Sequence, residues 1–225
     1  MSDTSRCTGP AMLALLVGQL PGARPESPEC ILGSLYVRLA AALEERSCHR
    51  GWYTQTVYAA VSAELSNYER CVALLARQSS EHCTLLAALF PYLDLLPECV
   101  HVLQLCSSVR GSALLTVLAE RRANASAHCA CFYAEVLGRL TAVFFQQLRL
   151  WLLYGTLHDP LDEFLLQEHC DSGEVSVRLS HLPPQLNAED AALILEIGQN
   201  NALLRAHFHI DPHTDALHDS CTPQV

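Results

Sequence analysis

The feature that most constrains this chain is one long apolar register. From Cys129 to Leu157, the residues Phe132, Val136, Leu140, Phe144, Leu148, Trp151, Leu152 and Gly155 recur at three- and four-residue steps. That is the spacing of one helix face, not the two-residue alternation of a strand. The register predicts a helix of about seven turns, ended by Asp159-Pro160, since a residue before proline is pushed out of the helical region. Phe145 and Tyr154 carry apolar surface beyond the stripe. A helix apolar on nearly all sides belongs at the centre of a bundle or is shared with a partner chain. The group Phe144, Phe145, Trp151 and Tyr154 is read as core, because aromatic rings bury the most area per residue.

Neighbours for such a helix are supplied on both sides. Val57, Val61, Leu65, Tyr68, Val72 and Leu75 place a second long amphipathic helix over 53–78, and Leu35, Leu39, Ala42 and Leu43 place a shorter one over 31–46. Residues 11–20 form a short apolar helix, followed by a Pro-rich linker near 21–29 and, further on, a loop over 47–51. A helix over 81–89 is expected to stop near Pro91, and the next, 95–107, to hold Pro97 in its first turn, where proline is tolerated. Residues 112–122 make another helix. Beyond Phe164, the alternation of Val175, Val177 and Leu179 suits a short strand or extended arm. Asn187 is a good N-cap for a final helix to Arg205, with Glu189 and Asp190 in the first turn, where the helix dipole favours acidic groups. The fold class expected is all-α, an elongated bundle of antiparallel helices with at most a minor extended element. It forms one helical domain over 1–206, and a polar His-rich tail over 207–225 follows.

Composition narrows the function. Half of the residues are hydrophobic and 17% are charged, which excludes a purely solvating chain. The net charge is −10 and the 14 Lys and Arg are scattered, so the basic footprint of a nucleic-acid binder is missing. The longest apolar stretch, 140–157, is interrupted by Gln146, Gln147 and Arg149, so no membrane partner is expected. Residues 6–23 imitate a secretory signal, but the 11 cysteines are odd in number and embedded in helical patterns, as expected of small buried hydrophobes in a reducing cytoplasm.

Chemistry finds no foothold. His207, His209, His213 and His218 with Asp211, Asp215 and Asp219 are the one dense group of metal-capable side chains, and they lie in the tail, without the supporting contacts a rigid site needs. Cys129 and Cys131 lack Cys-x-x-Cys spacing, and no phosphate loop, nucleophile elbow or His-Glu-x-x-His occurs. The chain is read as no enzyme, with no catalytic residue, no metal and no cofactor.

At 148–165 the residues run Leu-Arg-Leu-Trp-Leu-Leu-Tyr-Gly-Thr-Leu-His-Asp-Pro-Leu-Asp-Glu-Phe-Leu. This resembles the signature of the γ-tubulin complex components, a long helix ending Leu-x-x-Trp-x-x-x-Gly-x-Leu-x-Asp with an acidic residue and two aromatics after it. The matching residues are Leu148, Trp151, Gly155, Leu157, Asp159, Glu163 and Phe164; Leu165 departs from the second aromatic. Downstream, Leu182 and Pro183, then Ile194, Leu195 and Gly198, resemble the family's Leu-Pro stretch and its Ile-Leu-x-x-Gly helix, with Gln199 in place of Lys or Glu. Gly51-Trp52-Tyr53 and the helix after it look like the short fourth component. The resemblance implies a non-catalytic helical scaffold in the cytoplasm and cytoskeleton, at microtubule-organising centres; the alternatives are a helical adaptor of another assembly, such as a vesicle-tethering complex, whose rod-like bundles have a similar composition, or a non-functional fragment. The scaffold would pack side by side with other γ-tubulin complex components in a ring that templates microtubule nucleation. In the family, γ-tubulin is bound by a C-terminal domain with no counterpart in these 225 residues, so γ-tubulin is expected as an indirect partner. For Trp151, Gly155, Asp159 and Phe164, packing within a helix junction is favoured over direct partner contact.

Overall fold

The computed structural model describes Leu16, Gly18 and residues 27–45, 51–77, 82–169 and 173–208. Among the described residues the fold is all-α. Helices α1 (Pro28–Glu44), α2 (Trp52–Arg77), α3 (His82–Ser108), α4 (Ala113–Asn124) and α5 (Ala127–Tyr154) precede a small two-stranded sheet, and α6 (Ala188–Phe208) follows it. Most of the predicted 11–20 helix, residues 21–26 of the linker, Arg46 at the end of the predicted 31–46 helix, residues 47–50 of the 47–51 loop and the tail from 209 lie outside the described residues.

Local chemistry sets the helix ends. Ser27 caps α1 by accepting the Cys30 N–H (3.4 Å), and Pro28 and Glu29, read from sequence as the end of the linker, fill the first turn. Asn187 caps α6 reciprocally: its Oδ1 accepts the Asp190 N–H (2.8 Å) while Asp190 Oδ2 accepts the Asn187 N–H (3.1 Å).

Two predicted boundaries are overturned. Helix α3 does not stop at Pro91; it runs unbroken through both Pro91 and Pro97. The prolines leave the Ala87 and Leu93 carbonyls without their helical N–H partners. Burial of Leu89, Leu95, Leu96, Cys99, Val102 and Leu103 along one face, against α1 and α2, outweighs that loss. Helix α5 ends at Tyr154, before Asp159-Pro160, because Gly155 takes the left-handed conformation (φ 61°).

The core runs through the whole bundle. Tyr53, Tyr68, Tyr133 and Phe164 are fully buried, and the Tyr68 hydroxyl donates to the Leu16 carbonyl at 2.9 Å. Helix α5 packs against α2, α3, α4 and α6, the central place that its wide apolar surface predicts. Strand β1 (Leu166–Glu168) pairs antiparallel with β2 (Val175–Val177), with Leu166 opposite Val177. The alternation at 175–179 is therefore strand only as far as Val177, and Leu179 opens a 3₁₀ turn.

Candidate functional site: the junction of α5 and α6

Four of the residues that carry the resemblance, Trp151, Gly155, Ile194 and Gly198, lie where α5 meets α6. Trp151 is buried, and its indole N–H donates to the Ile194 carbonyl of α6 at 2.8 Å. The ring lies directly on the α6 backbone, since a Cβ on Gly198 would sit 2.0 Å from Trp151 Cε2. One turn further on, a Cβ on Gly155 would lie 2.4 Å from the Ala202 backbone nitrogen. Two glycines thus let the helices approach to backbone contact. Asn201 Nδ2 donates to the Leu152 carbonyl at 2.5 Å, satisfying an acceptor at the end of α5, and the Arg205 guanidinium lies 4.8 Å from the Tyr154 ring centroid. Leu148, Leu157, Leu182 and Leu195 are half-buried against the core, and Pro183 is buried.

The segment leaving α5 is organised by two carboxylates. Asp159 uses both oxygens, accepting the Glu163 N–H at 2.9 Å and the Phe164 N–H at 2.7 Å. That turn drives Phe164 fully inside, 5.5 Å from the Phe144 ring. It also buries Glu163, which is 5% exposed. The Glu163 carboxylate accepts backbone N–H groups of Trp52 and Tyr53 and fills the space a Cβ on Gly51 would need. It therefore caps α2 from a distant part of the chain. Burial pushes its carboxyl above the ordinary range, helped by the Asp159 charge; the two N–H bonds and Arg110 act in the other direction.

The same residue fastens α4. The Glu163 carbonyl accepts the Ser112 N–H at 2.8 Å, and Gly111 (φ 60°) makes room, since its Cβ would fall 2.0 Å from that oxygen. Ser112 Oγ donates to the His181 carbonyl at 2.5 Å, and Thr116 Oγ1 to that of Leu182 at 3.2 Å. Arg178 closes the outer side, with Nη2 2.7 Å from Asp162 Oδ1 and Nε 2.9 Å from Gln167 Oε1. The His181 imidazole is pushed below its ordinary range by burial and by Arg178, against the pull of Asp159 and Asp162.

Sequence reasoning missed Gly111, Ser112, His181, Asn201 and Ala202. Gly51 was singled out only within Gly51-Trp52-Tyr53, although it precedes a long helix without any side chain to cap it, the one signal of a distant cap. The aromatic group divides: Phe144 and Trp151 are buried and Tyr154 is half-buried, but Phe145 is 59% exposed and is not core. His207 is exposed in the last turn of α6, while His209, His213, His218, Asp211, Asp215 and Asp219 lie outside the described residues. Among the described residues, no group of three metal-capable side chains converges and no helix is long and apolar enough to cross a membrane.

What this arrangement does is hold five chain segments at one point, by backbone contact and hydrogen bonds to backbone. It defines a class of helical protein in which two glycines let neighbouring helices meet at their backbones. The chain belongs to the γ-tubulin complex component family: the family model described as gamma tubulin complex component N-terminal matches residues 30–222. Members of that family are structural components of cytoskeletal γ-tubulin complexes, which nucleate microtubules. No curated protein matches the chain.

Proposed function

We propose that this chain is a non-catalytic scaffold subunit of the γ-tubulin ring complex. In this reading it supports microtubule nucleation at microtubule-organising centres through lateral contacts with other components. The observation that carries the reading is the family match over most of the chain. The junction supports it physically. The polar groups of Trp151, Asp159 and Glu163 are engaged in backbone hydrogen bonds, which suits a rigid part better than a reactive centre. Contact with γ-tubulin is indirect in this reading, through the neighbouring components.

The test is affinity purification of the tagged chain from cytosol at low salt, followed by mass spectrometry. Recovery of other γ-tubulin complex components together with γ-tubulin is the expected result. Recovery of a different assembly, or of none of these proteins, would overturn the proposal. Pairwise mixing with purified γ-tubulin then checks the indirect contact, for which no binding is expected.

A further inference from the structure

Helix α6 buries one face against α5 and β2, yet it exposes a second apolar face. Leu193, Ile197, Leu204 and Phe208 follow one another at steps of four, seven and four residues, which puts them on one stripe. They are 56%, 39%, 53% and 65% exposed. Ile194 and Gly198, one position further round, are the residues buried against Trp151.

The stripe has a charged border. Glu189 and Glu196 are seven residues apart, about 10.5 Å along the axis, on one flank of the stripe. Both are exposed, and among the described residues neither makes a hydrogen bond or ion pair. The other charges of α6 are committed elsewhere: Asp190 to the Asn187 cap and Arg205 to the Tyr154 ring. An apolar stripe with anchors at helical spacing suits an amphipathic helix laid along it. Unpaired carboxylates on its flank select a helix with basic residues there. A second copy of this chain fits poorly, because its own flank is acidic and its net charge is −10.

We propose that this face of α6 docks an amphipathic helix of a partner protein whose apolar face is flanked by two basic residues seven positions apart. The inference needs only the surface of α6 and not ring membership, so its failure and that of the scaffold reading are separable.

The experiment uses the full chain and two fluorescein-labelled synthetic helices of about 18 residues, with leucines at i, i+4, i+7 and i+11. One carries two flanking lysines seven apart, and the other carries glutamates there. Fluorescence anisotropy is expected to show the lysine helix binding at least about tenfold more tightly, with the difference shrinking in roughly 0.5 M salt. Glu189→Lys with Glu196→Lys is expected to invert the preference. Ile197→Ser with Leu204→Ser is expected to abolish binding of both while the far-ultraviolet circular dichroism is unchanged. Equal binding of the two helices, binding of neither, or a preference that survives the charge reversal would overturn the proposal. So would concentration-dependent self-association in sedimentation that the serine variant removes, because the face would then belong to a second copy.

Discussion

The upstream helices α1–α3 and the α5–α6 junction are both well buried, but they are held by different kinds of contact. Upstream, side chains meet side chains: Leu32, Leu39, Val57, Val61, Leu95 and Val102 form a continuous apolar layer. At the junction, backbone meets backbone or ring, through Gly155 on Ala202 and Gly198 under Trp151, and polar groups end helices that start far away in sequence. Apolar layers exchange shapes at modest cost as long as volume is kept, whereas a backbone contact has nowhere to go. Residue identity is therefore constrained more tightly at the junction than upstream.

The largest test of that contrast is Gly155→Ala. A Cβ there meets the Ala202 backbone nitrogen at 2.4 Å on a residue held at φ 61°. The left-handed conformation alone costs a non-glycine residue about 1–2 kcal/mol, and displacing α6 adds to it, so a loss of at least about 3 kcal/mol is expected in urea unfolding. A loss under about 1 kcal/mol would show that the two helices slide freely, and the contrast would break.

Asp159→Ala comes next. It removes both acceptors of the turn that buries Glu163 and Phe164, leaving two backbone N–H groups without partners. Unpaired donors at a half-buried turn are worth about 1–3 kcal/mol in total, and faster hydrogen exchange at 163 and 164 is expected with the loss. An unchanged exchange pattern would mean that the turn is held by Phe164 burial alone.

Upstream, Leu95→Met keeps volume and apolar character in a fully buried site and is expected to cost less than about 1.5 kcal/mol. A larger loss would erase the distinction from the other side. Smaller still, and opposite in sign, is Gly138→Ala on the outer face of α5, where a Cβ meets nothing within 4 Å. Removing glycine from a helix interior is expected to stabilise by about 0.5–1 kcal/mol. The same substitution, within α5 at 138 and just past its end at 155, then moves the urea midpoint in opposite directions.

The contrast also explains what could be read in advance. The 3.6-residue period exposed α2, α5 and most of the core, because side-chain burial leaves a mark on spacing: Val57, Val61, Leu65, Tyr68 and Val72 are all inside. Pro91 misled for a physical reason, since local propensity was weighed without the tertiary burial that overrode it. The junction leaves almost no periodic mark. Trp151 and Gly155 fall in the register of α5 and Asp159 precedes a proline, but Glu163 and Gly198 stood out only through resemblance to a family, and nothing in their spacing says that Glu163 reaches the Trp52 and Tyr53 N–H groups across more than 100 residues. Contacts between backbones distant in the chain are set by topology, which a single sequence does not display.

The subtlest test is Glu163→Gln, which is read as a slope with pH and not as a loss at one pH. Burial raises the folded-state pKa of Glu163 above the unfolded value of 4.5, so ionising it costs more in the fold than in the unfolded chain. Its contribution is fully present below pH 4.5 and is lost as pH rises through the folded-state value. The glutamine variant does not ionise there, and its missing acceptor produces an offset that does not depend on pH. The stability difference, native chain minus variant, is therefore expected to fall as pH rises from 4.5 and then to level off. His181 gives the opposite sign, since its depressed pKa removes stability as pH falls below 6.5. Because His181 is present in both proteins, it cancels in the subtraction. A difference that instead rises with pH would mean that the Trp52 and Tyr53 N–H groups stabilise the carboxylate more than burial penalises it. Glu163 would then be an ordinary helix cap supplied from a distance, and the junction would be held by its glycine contacts and Asp159 without a strained charge at its centre.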